Sequence, residues 1–73
     1  MSMFKDTRLS LALYEAFMNP YKIQSDFARE FSAEVAALAS MGYISTYEGP
    51  QQFGRKWRVT GLGLDKLRKL GNL

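Results

Sequence analysis

From Ser25 to Gly42 the chain reads SDFAREFSAEVAALASMG, and Phe27, Phe31, Val35, Leu38 and Met41 keep a single helical phase throughout. Gly42 supplies a left-handed stop, and the spacing then changes at once. YISTYEG and RKWRVT carry β-branched and aromatic residues. Trp57 and Val59 alternate with Lys56, Arg58 and Thr60, as a half-buried hairpin strand requires. A chain that passes from a 3.6-residue to a two-residue period within a few positions is confined to the α+β class.

The remaining elements follow from local chemistry. Leu9, Ala12, Leu13, Ala16 and Phe17 form one buried stripe, Asp6 or Thr7 can cap it, and Asn19-Pro20 ends it. A first helix is therefore expected over 6–18. Ser25 caps the next segment, which is compatible with one helix over 26–41 or with two that pivot at Ser32; the phase alone leaves both open. Gly49-Pro50-Gln51-Gln52-Phe53-Gly54 reads as the loop of a two-stranded hairpin. Thr60 caps a last helix with Leu64, Leu67 and Leu70 on its apolar face and Gly71 at its end. The expected order is α-α(-α)-β-β-α.

With 73 residues there is room for a single domain over 1–73 and no second core. Residues 1–5, with Met1 and Met3, are read together with Phe4 as a flexible N-terminal arm. Apolar residues at 47% and aromatics at 14% argue for a folded globule. The chain has no histidine and no cysteine, so the common zinc sites and every Ser-His or Cys-His catalytic arrangement are excluded. The acidic residues are scattered, and GLGL at 61–64 fits neither phosphate-binding glycine pattern. The expectation is a protein that is not an enzyme and takes no cofactor, metal or small-molecule substrate. Absent cysteines suit a reducing compartment. The start lacks a secretory layout, and no apolar run approaches the roughly 20 residues that span a bilayer. A cytoplasmic protein without membrane contact is expected.

Charge is split along the chain. Residues 1–48 hold four cations against six anions, whereas residues 49–73 hold six cations against Asp65 alone. The basic end would attract a polyanion or an acidic protein surface. The candidate partner contacts are Gln51, Gln52, Phe53, Arg55, Lys56 and Arg58 around the hairpin, with Lys66, Arg68 and Lys69 on the last helix. For the last three the plainer reading is a solvated face. Phe53, flanked by glycine and glutamine, either folds back on the strands or anchors a partner.

The order and three local stretches resemble the winged-helix family. IQSDFARE resembles the opening of its second helix, and MGYIS the exit from its recognition helix. WRVTGLGLDKL resembles the return strand of the wing and the final helix, through Trp57, Val59, Thr60, Gly63 and Leu67. The chain departs from that pattern where ARE runs straight into FSAEVAAL, shortening the turn before the recognition helix. From Phe31 to Met41 there is no Arg, Lys, Asn or Gln. Base reading in the major groove needs such side chains or exposed hydroxyls, and only Ser32 and Ser40 are available. Glu34, the one charge, would meet phosphates with the wrong sign.

The short length, the missing cysteines and the alanine-rich helix together resemble small bacteriophage regulators that bind the host RNA polymerase. That resemblance implies docking on bacterial RNA polymerase core subunits in the host cytoplasm, inhibition of sigma-dependent initiation, and antitermination. The alternative is a DNA-binding repressor or excision-type factor that uses the basic wing, with nucleic acid otherwise bound only non-specifically. A third, plainer option is a structural domain that folds within a larger assembly.

Overall fold

The computed structural model describes residues 7–71. It is an α+β fold in the order α1 (Thr7–Met18), β1 (Tyr21–Lys22), α2 (Asp26–Glu30), α3 (Ser32–Ser40), β2 (Ile44–Gly49), β3 (Gln52–Val59) and α4 (Gly61–Lys69). The three strands form one antiparallel sheet in the order β1-β3-β2. The expected order is corrected at one point: a two-residue strand, β1, stands between the first two helices. Two residues carry no readable period, so nothing in the sequence pattern could mark it. The Asp6 cap and the arm over 1–5 lie outside the described residues.

The caps chosen from the sequence hold α2 and α4 in place. Ser25 accepts the Ala28 N–H at 3.1 Å, and Thr60 accepts the Gly63 N–H at 3.0 Å. Gly42 takes a φ of 80°, the left-handed conformation that lets the chain leave α3 and enter β2. Ser32 does not cap. The break between α2 and α3 falls at Phe31, whose backbone leaves the helical basin (φ −107°, ψ 30°) without a side-chain cap. Its ring instead stacks on Phe27 at 4.4 Å, and the Arg8 guanidinium lies 4.2 Å from its centre. The chain thus forms two helices of one phase.

The loop expected over 49–54 is shorter than its composition suggested. Only Pro50 and Gln51 lie between the strands; Gln52, Phe53 and Gly54 already belong to β3. Gly49 pairs with Gln52, and the turn is closed by Gln51 at a φ of 57°. Along β3 the partner changes. Val59 and Arg58 pair with Ile44 and Ser45, Trp57 and Lys56 pair with Tyr21 and Lys22, and Phe53 pairs with Tyr47. The β2–β3 pairing carries register shifts between Ser45 and Tyr47 and between Tyr47 and Gly49.

The core draws on every layer: Ala12, Leu13 and Ala16 from α1, Tyr21 from β1, Ala28 from α2, Phe31, Val35 and Leu38 around α3, Ile44 from β2 and Leu67 from α4. The alanines let helices approach closely, while Leu13, Leu38, Ile44 and Leu67 fill the centre. The start of α4 is pinned to the exit of α3. The Thr60 N–H donates to the Tyr43 carbonyl at 3.0 Å, and its hydroxyl donates to the Gly42 carbonyl at 2.7 Å. Gly63 sits so close to the Tyr43 carbonyl that a side chain there would collide with it. Among the described residues no helix is long and apolar enough to cross a membrane.

Candidate interaction surface

The hairpin β2–β3 presents one aromatic pair. Phe53 and Tyr47 face each other across the strands with ring centres 5.7 Å apart, edge to face. Phe53 therefore rests on a strand neighbour, yet 72% of it stays in solvent, and Tyr47 is 52% exposed. Large aromatics left this open at a strand end are costly to hydrate and suited to anchoring a partner. With Ser45, Arg58, Val59, Thr60 and Gly61 they line one shallow depression. Gln51 and Gln52 are exposed beside it.

The three hairpin cations do not form one uniform row. Arg58 lies 3.6 Å from the Glu48 carboxylate across the sheet, and that carboxylate occupies the space a side chain at Gly54 would need. Arg55 and Lys56 have no such partner among the described residues. They line a second groove, away from the aromatics, with Lys22, Ile23 and Gln24. Lys22 and Ile23 were not singled out in the sequence, because only the unforeseen strand β1 brings them beside β3.

The cations of α4 are separated again. Lys66 is 4% exposed, its ammonium 6.0 Å from the centre of the Tyr43 ring, so it is a packed residue rather than part of an open basic edge. Burial, then the charge of Lys69, hold its pKa below the ordinary lysine value. Arg68 pairs with Asp65 at 3.3 Å one turn away, an exposed contact worth little. Lys69 lines a third depression with Tyr43, Leu62, Asp65 and Lys66, shared with none of the β3 cations. Of the nine candidate residues, Gln51, Gln52 and Phe53 share the hairpin tip, Arg58 lines the depression beside Phe53, Arg55 and Lys56 share a groove, and the three α4 residues stand elsewhere.

Helix α3 has the surface its sequence foretells. Ser32, Ala33, Ala36 and Ser40 are its exposed positions. Glu34, by contrast, is not offered to solvent: its side chain is 14% exposed and accepts from Arg8 Nε at 3.2 Å. Arg8 also donates to the Glu30 carbonyl at 2.8 Å and lies 3.6 Å from the Glu30 carboxylate. One arginine of α1 thereby ties down the α2–α3 break, and the only charge of α3 is spent on that bond.

Comparison with family models, curated proteins and solved structures yields no match at any of the three levels.

Proposed function

We propose that this chain is a winged-helix-like regulator that docks on bacterial RNA polymerase through protein contacts, with β2–β3 as its wing. Acting in the bacterial cytoplasm, it inhibits sigma-dependent initiation and favours antitermination, either by competing with sigma for a polymerase surface or by binding one polymerase state better than another. The family reading rests on the resemblances of sequence given above, including that to the polymerase-binding regulator of a lytic Xanthomonas bacteriophage. α3 running into a hairpin and then a helix is the arrangement they imply.

The observation that carries the protein-docking part is the surface of α3. Where a DNA reader would present Arg, Lys, Asn or Gln, the exposed side chains are alanine and serine, and Glu34 is tied to Arg8. The groups suited to holding a partner lie on the sheet instead. These are the open pair Tyr47–Phe53 and the cations Arg55 and Lys56. Such a surface steers an acidic protein face into place and anchors it with an aromatic.

The alternative reading, a repressor or excision-type factor using the wing on DNA, draws on the same cations. It requires duplex binding that discriminates between sequences and weakens steeply with salt. The separating experiment replaces Arg55, Lys56 and Arg58 together by Glu. In a folded variant the affinity for polymerase core falls at least about tenfold on the docking reading. Unchanged polymerase affinity would sink it.

A further inference from the structure

The register of β1 on β3 sets Lys22 directly opposite Lys56. In an antiparallel pair such residues project from the same face with Cβ atoms about 5 Å apart, and like charges so placed weaken the pairing. Among the described residues neither ammonium has a carboxylate partner. Asp26 and Glu48 are paired elsewhere, with Arg29 and Arg58. Beside them, the Ile23 N–H donates to the Arg55 carbonyl at 2.8 Å, bringing a third cation to the same groove. Ile23, 42% exposed, lines the same groove as the three cations. Two exposed lysines thus stand opposite each other on a strand of only two residues.

We propose that this groove is the docking site for an acidic segment of a protein partner, an extended stretch with two or more carboxylates flanking an apolar side chain. The proposal rests on the polymerase-docking reading and names the chemistry of the polymerase surface that is bound. Carboxylates answer Lys22, Lys56 and Arg55, and the apolar side chain covers Ile23. Two features select this occupant. No aromatic lines the groove, since Phe53 and Tyr47 belong to the other depression. A single-stranded nucleic acid would therefore find cations but no stacking platform, and its phosphates would leave Ile23 bare. The backbone edge is also occupied, because the Lys22 carbonyl accepts from the Ser25 N–H at 3.0 Å and from the Ser25 hydroxyl at 2.6 Å. The partner is thus held by side chains rather than by an added strand.

Lys22→Glu separates stability from binding. It places opposite charges across the pair, so the melting temperature rises, while the groove loses a cation and gains an anion. The probes are a fluorescent Glu/Leu peptide, a fluorescent single-stranded oligonucleotide of equal charge, and purified polymerase core, each titrated in the same buffer. Lys22→Glu and Lys56→Glu should each lower peptide and polymerase affinity at least about tenfold. Ile23→Ser should weaken the peptide and leave the oligonucleotide unchanged. Peptide affinity unaltered in both folded charge variants overturns the proposal, as does an oligonucleotide that binds more tightly than the peptide, which would make the groove a phosphate site. If wild-type protein binds the peptide through Lys22 but not polymerase, the groove stands and the polymerase reading falls. If polymerase binds and neither reversal weakens it, the groove assignment falls and the polymerase reading stands.

Discussion

Tyr21 shows how much one side chain can hold in a domain this small. Its hydroxyl donates to the Ala12 carbonyl at 3.0 Å, its ring lies 4.6 Å from that of Phe27, and its backbone pairs with Trp57. It joins α1, α2 and the sheet at one point. Burial, with a smaller contribution from the charge of Glu15, pushes its pKa from 10.0 up to about 12. The unfolded chain gives up this proton near pH 10 and the folded chain near 12. Between those values the unfolded state binds fewer protons, so the phenol's contribution is complete below about pH 10 and lost as pH rises towards 12. Tyr21→Phe should cost about 1 kcal/mol at neutral pH through the lost hydrogen bond and should flatten the alkaline fall in stability. Thermal unfolding between pH 9 and 12, beside an ultraviolet titration of the phenols, checks both. A wild-type curve with the same alkaline slope as the variant would show that Tyr21 titrates like a surface tyrosine.

At the scale of elements, the two helices α2 and α3 act as one unit because α1 reaches across to them. Arg8 contacts Glu34, the Glu30 carbonyl and the face of Phe31. Glu34→Gln removes the better-buried carboxylate of this cluster and should lower stability by about 1 kcal/mol, less at high salt, as chemical denaturation would measure. If Glu34 served instead to repel phosphates, the variant would keep its stability and gain affinity for duplex DNA.

The elements also show where the sequence could be read and where it could not. Thr60 and Ser25 stand where a short hydroxyl side chain favours a cap, and each caps its helix. Gly42 was legible because only a left-handed residue turns a helix sharply into a strand. Gly63, part of the likeness to a winged helix, has its physical reason in the Tyr43 carbonyl beside it. The break at Phe31 was not legible, since two helices of the same phase leave the apolar spacing intact. Nor was β1, because a strand of two residues is defined by its partner on β3 and by nothing of its own. The consequence reached the candidate site. Arg55 and Lys56 were visible as cations, but Lys22 and Ile23 become their neighbours only through that pairing. Lys66 could not be told from its neighbours for a related reason: a run of cations does not reveal which side of α4 packs on the rest of the chain, and the one that lies over Tyr43 is buried.

For the whole molecule, the chemistry is divided between its faces. The α3 surface is small and uncharged, Phe53 and Tyr47 stand open at the hairpin, and Lys22, Arg55 and Lys56 gather in a separate groove. A domain of 73 residues, with ten buried core side chains among the described residues, has little stability to give away. That it keeps a bare aromatic and an opposed lysine pair fits a module completed by its partner. The most direct measurement is a titration of purified, nuclease-treated bacterial RNA polymerase core with the labelled protein, run beside duplexes of several sequences at the same salt concentration. Saturable binding to the core without nucleic acid, with weak and sequence-indifferent binding to the duplexes, is the predicted result. Binding that requires DNA, or that distinguishes one duplex from another while the core alone binds nothing, would contradict it.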